Sequence, residues 1–135
     1  MNVVIDTNIL IRAIIGDDKQ QQQAAARLFE QAQNIVIPTL VLCETVWVLR
    51  GRYKIGRQDV AERINALAES DKVILADDEV RAGLELLEAG GDFADGVAAY
   101  TGRKLLPGSL AIFASFDQSA VRLLSQRGHS AFVPS

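Results

Sequence analysis

The chain has 135 residues, 49% of them hydrophobic and 23% charged, with a formal net charge of −3. This size and balance fit one soluble globular domain spanning residues 1–135 and exclude a disordered chain, while the acidic charge excludes a broad basic field for duplex nucleic acid. Cys43 is the single cysteine, which excludes an intramolecular disulfide and a cysteine zinc cluster and fits a reducing cytoplasm; no run reaches the roughly 18 apolar residues of a membrane span, and Met1 opens no signal peptide.

The run Val3-Val4-Ile5 reads as a strand buried on both faces, ending in Asp6 at a strand-to-helix corner, Asp6-Thr7-Asn8. Ile9, Leu10, Ile11, Ile14 and Ile15 then recur near helical spacing, until Gly16-Asp17-Asp18 breaks the helix. A second helix starts near Asp17 or Asp18 and carries its glutamine run, Gln20 to Gln23, on an exposed face. Ile35-Val36-Ile37 is the second strand, closed by Pro38, and Leu40 to Arg52 the third helix. Gly51 and Gly56 bracket a turn before an amphipathic helix from Gln58 to Glu69. Val73-Ile74-Leu75 is the third strand, followed by a helix from Asp77 to Ala89 that Gly90-Gly91 ends. The next helix runs from near Phe93 to about Lys104, then a strand from Leu110 to Ala114, a helix from Gln118 to Gln126 and a last short strand, Ala131-Phe132-Val133. Strands alternating with helices imply an α/β fold: a mainly parallel sheet of about five strands sandwiched between two helical layers.

Two strands run into aspartates at their carboxyl ends, Asp6 and Asp117, the edge at which parallel α/β sheets bind ligands. Each also suits an N-cap. Glu44 stands in an apolar stretch, Leu40 to Val48, that reads as a buried helix, with no lysine or arginine at i±3 or i±4, so it wants a cation. Asp92 and Asp95 open a later helix, Asp92 as its cap and Asp95 facing inward. Carboxylates that converge repel one another unless a hard cation lies between them, and oxygen-only ligation suits Mg²⁺ or Mn²⁺ rather than zinc. Such sites activate water and stabilise charge on a phosphate in an in-line displacement, so the chemistry inferred is phosphodiester hydrolysis.

With Asp6-Thr7-Asn8-Ile9-Leu10, Glu44, Asp92-Phe93-Ala94-Asp95 and Ser115-Phe116-Asp117 in this order, the whole chain resembles a PIN-domain ribonuclease of the VapC type, a toxin paired with an antitoxin. The resemblance implies that Asp6, Glu44, Asp95 and Asp117 form an acidic cluster holding Mg²⁺ or Mn²⁺, and that Asn8, Asp92 and Ser115 support it. It also implies an RNA substrate, an antitoxin whose arginine enters the acidic site, and a homodimer. Ser115 stands where the family more often has threonine, and Gly96 where it has alanine, which weakens that helix by roughly 1 kcal/mol.

Arg50, Arg52, Tyr53 and Lys54 form a basic cluster that a strand of RNA could track, with Tyr53 stacking a base; as a solvated turn they need no ligand. Trp47 reads as core or as a subunit contact, and His129 as surface. A different class of function is a catalytically silent module whose acidic pocket only captures a basic side chain of a partner. A phosphate-receiving signalling domain also has an acidic strand end, but Phe132-Val133-Pro134-Ser135 lacks the lysine that its chemistry needs.

Overall fold

Strands and helices alternate as the apolar periodicity requires in the computed structural model, which describes residues 1–108 and 110–135. The chain divides into two compact units, Met1–Ala76 and Asp77–Ser135. The first contains β1 (Asn2–Val4), α1 (Thr7–Ile14), α2 (Lys19–Gln31), β2 (Asn34–Val36), α3 (Thr39–Gly51), α4 (Arg57–Ala68) and β3 (Val73–Ile74). Its strands pair in parallel in the order β1-β2-β3, with Val3 opposite Ile35 and Ile35 opposite Val73. The pairing continues just past the strand ends, where the Ile5 amide donates to Val36 O and the Ile37 amide to Ile74 O. Ile5, Ile35 and Ile37 are buried with Leu10 of α1 and Leu42, Val46 and Leu49 of α3.

Two expectations about burial fail in this unit. β1 is not buried on both faces: Val4 is 69% exposed, whereas Ile5 just beyond the strand is buried. Nor is α3 buried all round. It buries Val41, Leu42, Thr45, Val46 and Leu49 and exposes Leu40, Glu44 and Trp47, the last at 74%, so Trp47 is not core. An apolar composition on every side of a helix signals burial only if a second layer is there to cover it.

The second unit contains α5 (Asp77–Glu88), α6 (Phe93–Leu105), β4 (Phe113–Ala114), α7 (Gln118–Gln126) and β5 (Ala131–Phe132). β4 and β5 pair in parallel, Phe113 opposite Ala131. β4 is shorter than the apolar run from Leu110 suggests, because its partner is only two residues long; Leu110 and Ile112 are exposed. Thus all strand pairs found are parallel, as expected for the α/β class, and hydrogen bonds group the strands as three and two among the described residues.

The turn between α5 and α6 explains how Asp92 and Asp95 are presented. Gly90, at φ +106°, donates to Leu87 O, and the Gly91 amide donates to Leu86 O. Those two bonds are a Schellman motif, which stops α5 and satisfies its last carbonyls. Helices α5 and α6 then pack backbone to backbone. A Cβ on Gly96 would lie 2.5 Å from Ala82 O, and one on Gly83 2.6 Å from the Phe93 ring, which is itself fully buried. The glycine that looked like a loss of helix propensity is therefore what lets the two helices close; α6 runs unbroken through it.

Candidate functional site

Asp6 leaves β1 and caps α1, with its Oδ1 accepting from the Ile9 amide at 2.9 Å. The next residue, Thr7, donates its hydroxyl to Glu44 Oε2 at 3.2 Å and so ties the start of α1 to the middle of α3. Asp6, Asn8 and Glu44 line a cleft of about 440 Å³ together with Thr7, Arg12, Arg52, Tyr53 and the apolar Ile11, Leu40, Val41 and Val48. That volume is in the range of small-ligand pockets. The expectation that Glu44 is buried and therefore demands a cation is overturned: Glu44 is exposed, and its side chain is held by a threonine. Its place in the cleft, rather than burial, is what ties it to Asp6.

In the second unit Asp92 caps α6, accepting from the Ala94 amide at 3.1 Å, and Asp117 caps α7, accepting from the Ala120 amide at 3.1 Å. Ser115 supports Asp117 directly, since its Oγ accepts from the Asp117 amide at 3.0 Å. Asp95, in the first turn of α6, has no capping role. Burial raises its proton affinity above the ordinary carboxylate value, and the charges of Asp92 and Asp117 raise it further. The capping reading and the ligand reading are thus compatible. Each cap bond engages Oδ1, and a carboxylate has two oxygens and about four acceptor sites.

Asp6 and Glu44 share one cleft in the first unit, and Asp95 feels Asp92 and Asp117 in the second. Within either unit, among the described residues, no three acidic, histidine or cysteine side chains stand close enough to hold one ion between them. The donor chemistry nevertheless fits a hard divalent cation, since every candidate atom is oxygen and the like charges around Asp95 favour a compensating positive charge.

The basic cluster divides. Arg52 and Tyr53 line the cleft, with the Arg52 guanidinium 5.7 Å above the Tyr53 ring. Arg50 instead donates to Ile55 O at 3.2 Å and closes the turn, and Lys54, at φ +57°, is exposed outside the cleft lining. The sequence reading missed Arg12 and Asp17. Arg12 lines the cleft and makes an ion pair with Asp17, whose other oxygen accepts from the Tyr53 hydroxyl at 2.8 Å. His129 is partly buried, not a plain surface residue; burial lowers its proton affinity, and Arg103 lowers it further while donating to Gly128 O.

Among the described residues no helix is long and apolar enough to cross a membrane. A search of curated proteins finds no match to the chain. The PIN domain pattern matches residues 3–105, from β1 to the end of α6; it includes Asp6, Glu44, Asp92 and Asp95, whereas Ser115 and Asp117 lie beyond it. PIN domains are generally metal-dependent nucleases, and a nuclease role is the one this match supports. With the match crossing both units and covering most of the sequence, the chain belongs to the PIN domain family.

Proposed function

We propose that this chain is a Mg²⁺- or Mn²⁺-dependent endoribonuclease of the cytoplasm, the toxin of a toxin–antitoxin pair, acting as a homodimer. The observation that carries the reading is the PIN domain match over residues 3–105, because it contains Asp6, Glu44 and Asp95. The match also crosses the boundary between Ala76 and Asp77, which supports treating residues 1–135 as one PIN-like domain. Trp47, exposed on α3 outside the cleft lining, is the kind of apolar surface that a protein partner covers, which supports the homodimer and antitoxin.

We assign Asp6, Glu44, Asp95 and Asp117 as the residues that would hold the ion, with Asn8, Asp92 and Ser115 supporting them. A divalent ion, when bound, supplies a water of lowered pKa and offsets charge on the scissile phosphate. Thr7 fixes one oxygen of Glu44 and so pre-orients the carboxylate. Asp95 is partly buried and feels the charges of Asp92 and Asp117, a like-charge setting that a bound cation would relieve. Arg52 and Tyr53 contact the RNA strand in this reading, while Arg50 and Lys54, outside the cleft lining, contribute at most to its surroundings.

Incubating the purified protein with total cellular RNA and Mn²⁺, with and without a chelator, and mapping the new ends tests this. New internal ends that disappear with chelator are expected. A silent module that only captures a basic partner residue gives no new ends and gains no thermal stability with Mn²⁺.

A further inference from the structure

Beside the two carboxylates, the same cleft carries a second, oppositely charged set of groups. Arg12 donates through Nε to Gln21 Oε1 at 2.8 Å and through Nη1 to Asp17 Oδ1, and the Tyr53 hydroxyl donates to Asp17 Oδ2 at 2.8 Å. One carboxylate therefore joins the last turn of α1 to the turn after α3, where Tyr53 lies 36 residues beyond Asp17. Its two hydrogen-bonded partners hold Asp17 below the ordinary carboxylate range, Tyr53 first and Arg12 after it. Arg52 lies over the ring that Asp17 holds. A guanidinium has five donors, and the bonds to Gln21 and Asp17 engage Nε and Nη1 of Arg12.

We infer that Arg12 and Arg52 form a seat for one phosphate of single-stranded RNA next to Asp6 and Glu44, and that Asp17 is its positioning residue. This rests on the ribonuclease reading and adds to it where the strand lies. Two guanidiniums and two carboxylates lining one cleft match a polyanion whose neighbouring phosphates are handled differently, one by arginine and one through the ion that the acidic residues would hold. A chain with net charge −3 has no broad field to hold RNA, so affinity must come from such local contacts. Tyr53, braced at its hydroxyl and covered by Arg52, is a rigid element rather than a swinging one, and the apolar Ile11, Leu40, Val41 and Val48 give a nucleoside a dry wall to lie against.

The proposal has a sign that simple charge counting does not. Removing a negative charge beside a phosphate site should tighten RNA binding, whereas losing a positioning residue should loosen it. The test is equilibrium binding of a fluorescein-labelled single-stranded RNA without divalent ions, over a range of salt, for the full chain. Arg52→Gln should weaken binding about 5- to 10-fold and reduce the slope of log affinity against log salt by about 0.7, the loss of one phosphate contact on a single strand. Asp17→Asn should weaken it about 3- to 5-fold, Asp17→Glu should recover part of the loss, and Tyr53→Phe should weaken it in the same direction. The Asp17→Asn, Tyr53→Phe double variant should be no worse than the weaker single, because both break one unit. Binding by Asp17→Asn as tight as wild type or tighter overturns the proposal, as does an unchanged salt slope in Arg52→Gln. If those variants behave as wild type while metal-dependent cleavage persists, the seat is wrong and the nuclease reading stands. If they behave as expected and no cleavage occurs, the seat stands and the nuclease reading fails. Wild-type protein that binds no RNA overturns the seat, and the nuclease reading is then decided by cleavage with Mn²⁺.

Discussion

The acidic residues of the two units are placed by opposite means. In the first, Glu44 is exposed and held by a hydroxyl from Thr7, with arginines lining the same cleft. In the second, Asp95 is partly buried among other carboxylates, and its proton affinity is raised. The difference teaches that a carboxylate can be set either by fixing its direction or by surrounding it with like charge, and under the proposed function each would prepare it for a cation. Direction costs little stability; like-charge crowding costs some, and a structure must supply it from packing elsewhere. In the second unit the close contact of α5 and α6 through Gly83 and Gly96 is one such piece of packing.

Five substitutions, taken in four steps, would break or sharpen this contrast. The largest effect is expected from Asp6→Asn and from Asp117→Asn, each lowering Mn²⁺-dependent RNA cleavage about 100-fold or more. Because asparagine caps a helix as well as aspartate does, thermal midpoints should stay within about 2 °C; retained cleavage removes the residue from the assignment. Next, Gly96→Ala should destabilise the protein by about 2 kcal/mol or more, since the new methyl meets the Ala82 carbonyl at 2.5 Å. Denaturant titration reads this directly, and a variant as stable as wild type would show that α5 and α6 can separate without cost. Third, Thr7→Val keeps shape but removes the donor to Glu44, and should weaken Mn²⁺ binding about 10-fold by calorimetry with no change in midpoint.

The smallest effect concerns Asp95, and its sign follows from linkage. Because its folded pKa is raised, the folded state holds the proton more tightly than the unfolded chain does. Its stabilising contribution is full below about pH 4, the unfolded aspartate value, and is lost as pH rises through the folded pKa. Asp95→Asn should therefore raise the thermal midpoint at pH 7 by about 1–3 °C without metal, with the gain vanishing near pH 4. A gain that grows as pH falls would contradict the burial and like-charge account.

Much of this was legible in the sequence where the signal is local. The helix from Gln118 to Gln126 forms with those bounds, and Gly90-Gly91 ends α5 through a Schellman motif, because caps and glycine turns are decided within a few residues. The aspartates at 6, 92 and 117 were readable as caps for the same reason. Burial was not. Val4 and Glu44 sit in apolar runs, yet both are exposed, because which face is covered depends on what packs there. The Arg12–Asp17–Tyr53 network was also invisible: an interval of five is not a helical pairing, and Tyr53 arrives from 36 residues on.

Under the proposed assignment the capping aspartates do double duty, and that constrains how such a protein could decay. A descendant that no longer cleaved RNA would still need oxygen acceptors at the starts of α1, α6 and α7, so positions 6, 92 and 117 should drift toward Asn, Ser or Thr rather than scatter. Positions 44 and 95 begin no helix and carry no such obligation. Relatives in which 44 and 95 vary freely while the three caps stay polar would be those that have given up the chemistry and kept the scaffold.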